Sequence, residues 1–120
     1  MSSLSASNRF YQIIASTAKQ YRVEVEMDQM KLVPDGKGGN AFHISLDSGR
    51  GNYEMVMLAG YIAVGYAMQS GMKLSQIMVT VYVPVSGGYQ ITTTCQPEEL
   101  SQFMSGKIDS AEFVRQITYI

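Results

Sequence analysis

The chain contains one histidine, His43, and one cysteine, Cys95, and together these residue types can form a nucleophile and its base. A cysteine attacks as the thiolate, which forms at neutral pH when a base such as imidazole lies within hydrogen-bond reach. In the predicted strands, His43 stands between the inward residues Phe42 and Ile44, whereas Cys95 shares the inward side with Ile91. The alternation predicts that imidazole and thiol lie on opposite faces of a sheet. We therefore expect no catalytic residue and no enzymatic activity.

Metal-ligand patterns are sparse, because one histidine and one cysteine are too few for a soft-metal site. Residues 106–113, Gly-Lys-Ile-Asp-Ser-Ala-Glu-Phe, match the second half of a calcium-binding EF-hand loop. Projected back, the first, third and fifth loop positions hold Ser101, Phe103 and Ser105, where calcium requires carboxylate or amide oxygens. The segment is typical of a capped helix start. We expect no metal and no cofactor.

Gly49, Arg50, Gly51 and Asn52 stand between a predicted strand and a predicted helix. Free backbone N–H groups at a helix start, assisted by a guanidinium group, can bind a phosphate or carboxylate. The segment lacks the Gly-Lys-Ser/Thr of a P-loop and the full dinucleotide-binding motif. Two interpretations stay open: an ordinary loop, or the anion site of a small-ligand sensor domain.

Length and charge restrict the class of protein. The 120 residues match the size of one domain, so we expect a single α+β domain over residues 1–120. Nine basic and ten acidic residues are scattered along the chain, without the basic cluster that nucleic acids require. The uncharged run 55–68 is shorter than the about 20 residues of a membrane-spanning helix. The single cysteine and the absence of signal-peptide features at the start predict a cytoplasmic protein without membrane insertion.

Periodicity predicts the order α-ββ-α-ββ-α-α, an antiparallel sheet of two hairpins packed on a long apolar central helix. Helical spacing covers residues 6–20 and, after the N-cap Asn52, residues 53–70. Alternating apolar residues predict four strands, and two short helices follow from Pro97 and Asp109. The predicted strands cover residues 22–32, with a break near Gln29, 42–46, 75–85 and 89–95.

The central helix carries Ala59, Ala63 and Ala67 at a spacing of four, so that they form a stripe of small residues. Such a stripe allows another backbone to approach closely. Two interpretations remain: packing on the domain's own sheet, or a two-fold homodimer contact between central helices.

Other candidate contact residues come from the alternation of the strands. It places Met30, Met72 and Met78 on the less buried side, where flexible methionines suit a partner groove, although core filling is the alternative. Tyr82 falls on the outer, polar face of the sheet, which is either solvated or a contact surface.

The order of elements resembles that of small adaptor folds in which a sheet packs on a long central helix, such as roadblock-type modules and secretion chaperones. Both groups are homodimeric protein binders, so the resemblance implies the same for this chain. Each group has a further strand that is not found in this sequence, whose C-terminus is predicted to be helical. We expect a non-enzymatic protein-binding, adaptor or chaperone-like module that forms a homodimer. The alternatives are the anion sensor and an enzyme whose carboxylates, for example Asp28, Asp47 and Glu54, assemble in three dimensions.

Overall fold

A computed structural model describes residues 3–49 and 52–120 of the chain. These residues form four α-helices, five strands and one short 3-10 turn, and the α+β class is confirmed. The elements are α1 (Ser3–Gln20), β1 (Met30–Pro34), β2 (Asn40–Asp47), α2 (Tyr53–Met68), β3 (Leu74–Val83), β4 (Tyr89–Cys95), α3 (Pro97–Met104), α4 (Ser110–Gln116) and β5 (Thr118–Tyr119).

The five strands form one mixed sheet in the order β1-β2-β3-β4-β5. Neighbouring strands are antiparallel except at the centre, where β2 and β3 run parallel, with Ile44 opposite Val79. The expected fully antiparallel sheet is therefore wrong at this position. The reason is the connection: α2 is a crossover helix that carries the chain back to the end of the sheet where β2 began.

The first predicted strand begins later than expected. Residues 23–26 have no regular secondary structure and no strand partner, and a short 3-10 turn, Met27–Gln29, precedes β1. Glu26 and Gln29 form a capping box around this turn, and the Gln29 amide donates a hydrogen bond to the Ser45 carbonyl at 2.7 Å. Alternation in residues 22–28 reflects which side chains of an unpaired segment are covered, and it cannot report backbone pairing.

The C-terminus also differs from the prediction, because α4 ends at Gln116 and the chain continues into β5. This strand pairs with Thr93 and Thr94 of β4. A strand of two residues is too short to show an alternating pattern, so it could not be predicted from periodicity. The expectation of a helical C-terminus without a further strand is wrong. The two helix starts are confirmed, since Gln96 precedes Pro97 in a capping box and the Asp109 carboxylate accepts from the Glu112 N–H.

The core lies between the sheet and the helices. Alternate residues of β2 and β3, including Phe42, Ile44 and Val79, are buried on the inner face of the sheet. The Phe10 ring of α1 meets Phe42 edge-on at 5.3 Å, and Tyr61 of α2 bonds to Thr93 of β4. The helices thus cover the inner face, and the intervening residues of the strands form the outer face.

Local hydrogen bonds occupy the backbone N–H groups at the free edge of β1. The Leu32 N–H donates to the Tyr11 hydroxyl of α1 at 3.0 Å, and the Met30 N–H donates to the Met27 carbonyl. Pro34, the next residue of this alternating set, has no N–H group. Of the backbone N–H groups of β1 that point away from β2, those of Met30 and Leu32 are therefore bonded, and Pro34 has none.

Two glycines of α2 leave no room for a side chain. A Cβ at Gly60 would lie 2.8 Å from Cδ1 of Leu46, which is buried in the core, so we expect Gly60→Ala to lower the free energy of unfolding by about 1 kcal/mol. A Cβ at Gly65 would lie 2.6 Å from both Cγ and Sδ of Met104, and Cγ can move away only if the whole side chain rotates. Gly65→Ala is therefore expected to lower the free energy of unfolding as well, by about 1–3 kcal/mol. Urea denaturation measures both, and a stabilised variant at either position would show that α2 does not pack closely there.

Candidate interaction surfaces

The predicted alanine stripe of α2 lies inside the chain. Ala59 is 4% exposed, and Ala63 and Ala67 are fully buried. Gly60, on the same side of the helix, faces Leu46 and Val79 of the sheet. The structure therefore places these small residues in intramolecular packing, the first of the two interpretations. Their small size allows α2 to lie close to α1 and to the central strands.

A different side of α2 faces solvent and is apolar. Met55 is 69% exposed, Tyr66 is 48% exposed, and Leu58 and Ile62 are partly exposed between them. The spacings of three and four residues place these side chains along one line of the helix, which we call the α2 ridge. The helix has one charged residue, Glu54, which is exposed one turn before Leu58 and borders the ridge at the start of the helix.

The sequence showed that α2 is apolar all round but did not show which side stays uncovered. Helical periodicity alone cannot distinguish the covered side from the uncovered side, because every side of this helix has the composition of a buried face. Packing against α1, the sheet and α3 buries Met57, Tyr61, Val64 and Gly65, and leaves the ridge outside. The ridge residues were missed for this reason.

A hollow of about 340 Å³ runs beside the ridge, between α2 and the end of α1. Most of its walls are apolar, and Arg22 is the charged residue among them. Its lining residues are Tyr21, Arg22, Val23, Ser48, Met55, Val56, Leu58, Ala59 and Ile62. On the other side of the ridge, a depression of about 300 Å³ lies between Glu54 and Leu58 of α2 and residues Ser110, Ala111 and Val114 of α4. The ridge is thus an elevation between two hollows.

The outer face of the sheet holds two of the predicted contact residues. Tyr82 is 40% exposed, and its ring lies against Gly88 in the β3–β4 turn, which restricts its position. Met78 is partly buried between its neighbours His43 and Thr94 on the flanking strands. These two side chains stand on the same face of β3.

The structure separates the other methionines from this pair. Met72 precedes β3, at the end opposite Tyr82, and its sulfur accepts from the Asn40 amide at 3.6 Å. Met30 is 6% exposed and belongs to the core, so its expected place on the less buried side is wrong. The 3-10 turn before β1 changes the phase of the strand and turns Met30 inward.

His43 and Cys95 lie on opposite faces of the sheet, which confirms the prediction from alternation. The His43 imidazole is exposed on the outer face, where Nε2 lies 2.9 Å from the Thr80 hydroxyl, which in turn lies 3.0 Å from that of Thr92. Partial burial, followed by the charge of Lys31, lowers the pKa of His43. The imidazole therefore hydrogen-bonds to Thr80 and lies on the other face of the sheet from the thiol.

Cys95 is 3% exposed, and burial raises the pKa of its thiol to about 12. We expect it to react with a disulfide reagent at pH 8 at least about 100-fold more slowly than an exposed cysteine, because access and thiolate are both reduced. The control is Ser105→Cys on the exposed end of α3. Reaction of Cys95 at the control rate in the folded protein would contradict the burial. Below the ordinary pKa of 9.0 the buried neutral thiol stabilises the fold, and this stabilisation is lost as the pH rises from about 9 towards 12.

The structure describes two of the four residues of the predicted anion site, Gly49 and Asn52. The Gly49 N–H donates to the Asp47 carboxylate at 2.7 Å, and the Asn52 side chain accepts from the Glu54 N–H at 2.8 Å. Oxygens of the chain thus already bind these two donors. Arg50 and Gly51, the other two residues of the predicted site, lie outside the described residues.

Among the described residues, no three or more His, Cys, Asp and Glu side chains come together as a metal ion requires. Nor does any helix in this part of the chain have the length and apolar character needed to cross a membrane. The fold defines an α+β protein with a mixed five-stranded sheet that is covered by helices on one face. Comparison with protein-family models, curated proteins and solved structures finds no match.

Proposed function

We propose that this chain is a non-enzymatic protein-binding module of the adaptor or chaperone type, and that it acts as a homodimer. The observation that carries the proposal is the α2 ridge, an apolar strip on the solvent side of the central helix that is bordered by one charged residue of this helix, Glu54. The ridge holds the half-exposed Tyr66 and the strongly exposed Met55, and the half-exposed Tyr21 of α1 lines the hollow beside it. Contiguous apolar areas of a few hundred Å² are typical of protein contacts.

The ridge is also part of a rigid element, as suits a contact surface. Its side chains stand on a helix of 16 residues, so that binding needs little reordering of the backbone. Met55 and Tyr66 offer an adaptable and an aromatic side chain, and a hollow lies beside them. Aromatic anchors next to pockets contribute most of the binding energy in many interfaces.

The outer face of the sheet is a second surface that supports the adaptor proposal. Tyr82 combines an exposed aromatic ring with a hydroxyl group, and Met78 stands on the same strand face. Because the helices cover the inner face, a partner on this outer face would not compete with one on the ridge. An adaptor needs two such separate surfaces.

The test compares the tagged wild-type chain with Tyr66→Glu, both isolated gently from the cells that make the protein. Native mass spectrometry should find the wild type bound to a polypeptide, either a second copy or another protein, and the ridge variant without it. Tyr89→Glu is the matched control, because Tyr89 has nearly the same exposure, 50% against 48%, but lies on β4. Identical bound polypeptides in all three samples would overturn the proposed role of the ridge.

The same spectra distinguish the anion-sensor alternative. Arg50→Ala should leave polypeptide binding unchanged if the chain is a protein-binding module. A small-molecule mass on the wild type that disappears in Arg50→Ala would favour the sensor.

A further inference from the structure

We infer that Met104, the last residue of α3, is an oxidation site whose sulfoxide loosens the contact between α3 and α2. The oxidant is hydrogen peroxide or another peroxide. Three properties of the described residues carry the inference: the Met104 thioether lies against a glycine of α2, it borders an open groove, and its contact helps to hold the C-terminal elements in place.

The thioether of Met104 lies directly on the backbone of α2. A Cβ added at Gly65 would come within 2.6 Å of both Cγ and Sδ of Met104 and within 3.1 Å of Cε. Three consecutive atoms of the methionine side chain therefore occupy the space that a side chain at position 65 would need. Gly65 is buried, and its missing side chain allows α3 to approach α2 this closely.

The same side chain borders an open groove, so that an oxidant can reach it. The groove has a volume of about 300 Å³ and lies between the end of α2 and α3, with Met68 and Met104 in its lining. Met104 is partly exposed, whereas Met57 of α2 is fully buried. A methionine that solvent can reach is open to oxidation to the sulfoxide. The Met104 thioether thus combines close packing on Gly65 with access from the groove.

Oxidation changes the thioether in a way that this packing cannot accommodate. A sulfur lone pair attacks one oxygen of hydrogen peroxide, the O–O bond breaks and the S–O bond of the sulfoxide forms. The proton of the transferred oxygen passes to the leaving oxygen, which departs as water, so that the sulfur loses two electrons and the peroxide gains them. The product carries a polar oxygen on the atom that lies against Gly65. Since a close-packed contact has no space for an added atom, the side chain must turn away or the two helices must separate.

The loosened contact affects the elements that follow α3. This helix has eight residues, Leu100 is its buried residue, and a helix so short depends on packing to stay folded. Phe103, the neighbour of Met104, stacks on Phe113 of α4 at 4.7 Å. Helix α4 in turn continues directly into β5. We therefore expect the sulfoxide to destabilise the end of α3 first and, through the aromatic stack, α4 next.

The first experiment treats the folded chain with hydrogen peroxide, maps the sulfoxides by mass spectrometry and measures stability by urea denaturation. Sulfoxide should form at Met104 and at the strongly exposed Met55, but not at the fully buried Met57. Oxidation should lower the urea midpoint by about 1 M, the shift that overpacking a close contact gives at the usual dependence of stability on urea. A Met104 that stays unoxidised while Met55 is converted would overturn the inference.

Leucine variants assign the loss of stability to one sulfur. Met104→Leu keeps the volume and the apolar character of the side chain but has no sulfur, so peroxide should leave its urea midpoint unchanged. Met68→Leu is the matched control, because Met68 is also partly exposed and lines the same groove. This control should lose as much stability as the wild type. If peroxide destabilises Met104→Leu as much as the wild type, or spares Met68→Leu, the inference is wrong.

A second measurement needs no variant. In the peroxide-treated wild type, amide hydrogen exchange should be faster in α3 and unchanged in β2 and β3. Methionine sulfoxide reductases for the two sulfoxide epimers, supplied with a thiol reductant, should restore both the exchange rates and the urea midpoint. Faster exchange in β2 and β3 without a larger effect in α3 would contradict the role of the contact between Met104 and Gly65.

Discussion

Replacing Phe113 by alanine is expected to lower the free energy of unfolding by about 3–5 kcal/mol, the usual cost of removing a fully buried aromatic side chain. The Phe113 ring is fully buried, stacks on Phe103 of α3 at 4.7 Å and meets Tyr61 of α2 edge-on at 5.3 Å. It is the buried residue of α4, a helix of seven residues that is too short to be stable alone. The substitution therefore removes the contact that holds the C-terminal helix on the domain.

Urea denaturation measures this effect, and amide hydrogen exchange locates it. Since β5 follows α4 directly, exchange should accelerate first at the amides of α4 and β5, before the amides of β2 and β3. Val114→Ala is the control, because this neighbouring side chain is partly exposed, and it should cost less than about 1 kcal/mol. If Phe113→Ala costs no more than the control, α4 does not depend on the aromatic cluster.

The second large effect is expected at a buried polar pair. The Tyr61 hydroxyl lies 2.8 Å from Thr93 Oγ1, which also donates to the Val79 carbonyl at 3.3 Å. Both side chains are fully buried. Thr93→Val keeps the shape but leaves the Tyr61 hydroxyl without its partner, so we expect a loss of about 2 kcal/mol. Tyr61→Phe should cost about 1 kcal/mol, because the Thr93 hydroxyl keeps its bond to Val79.

The double variant decides whether the pair is coupled. Thr93→Val with Tyr61→Phe removes both polar groups, and its cost should be clearly smaller than the two single costs together. Additive costs would show that the hydroxyl groups do not bond to each other in the folded chain.

The pair also predicts a pH dependence. Burial raises the pKa of Tyr61 above its ordinary value of 10.0, while the Thr93 hydrogen bond acts in the opposite direction and is the smaller influence. Above pH 10 the unfolded chain ionises this tyrosine and the folded chain does not, so the stability that it contributes is present below pH 10 and is lost as the pH rises. In Tyr61→Phe the decrease between pH 10 and pH 11 should be less steep. An unchanged slope would contradict the burial of the hydroxyl.

Local chemistry made some parts of this fold predictable from the sequence. Asn52, Pro97 and Asp109 were identified as helix starts because a cap is a contact between residues two or three positions apart. The opposite facing of His43 and Cys95 followed from the period of two in a strand. The mixed sheet was not predicted, because the direction of β3 relative to β2 depends on the crossover path of α2 and not on either strand's own residues.

The candidate site was harder to predict for a related reason. In α2 the sequence offered Ala59, Ala63 and Ala67 as the conspicuous stripe, and the structure places them in the core. Which side of a helix stays exposed depends on what packs around it. A helix that is apolar on every side has no polar face that would mark the exposed side in the sequence. The exposure of Tyr66 could be seen only once the positions of α1, α3 and the sheet were known.

The hydrogen bonds at the edge of β1 affect how copies of the protein meet at high concentration. An open edge strand is a template on which other chains can add by backbone pairing, the first step towards fibrils. Here the Tyr11 hydroxyl binds the Leu32 N–H, the Met27 carbonyl binds the Met30 N–H, and Pro34 has no donor. An arriving strand would find no free donor along this side of β1. The α1–β1 contact thus occupies a donor with which this edge could pair, and Tyr11→Phe would free the Leu32 N–H.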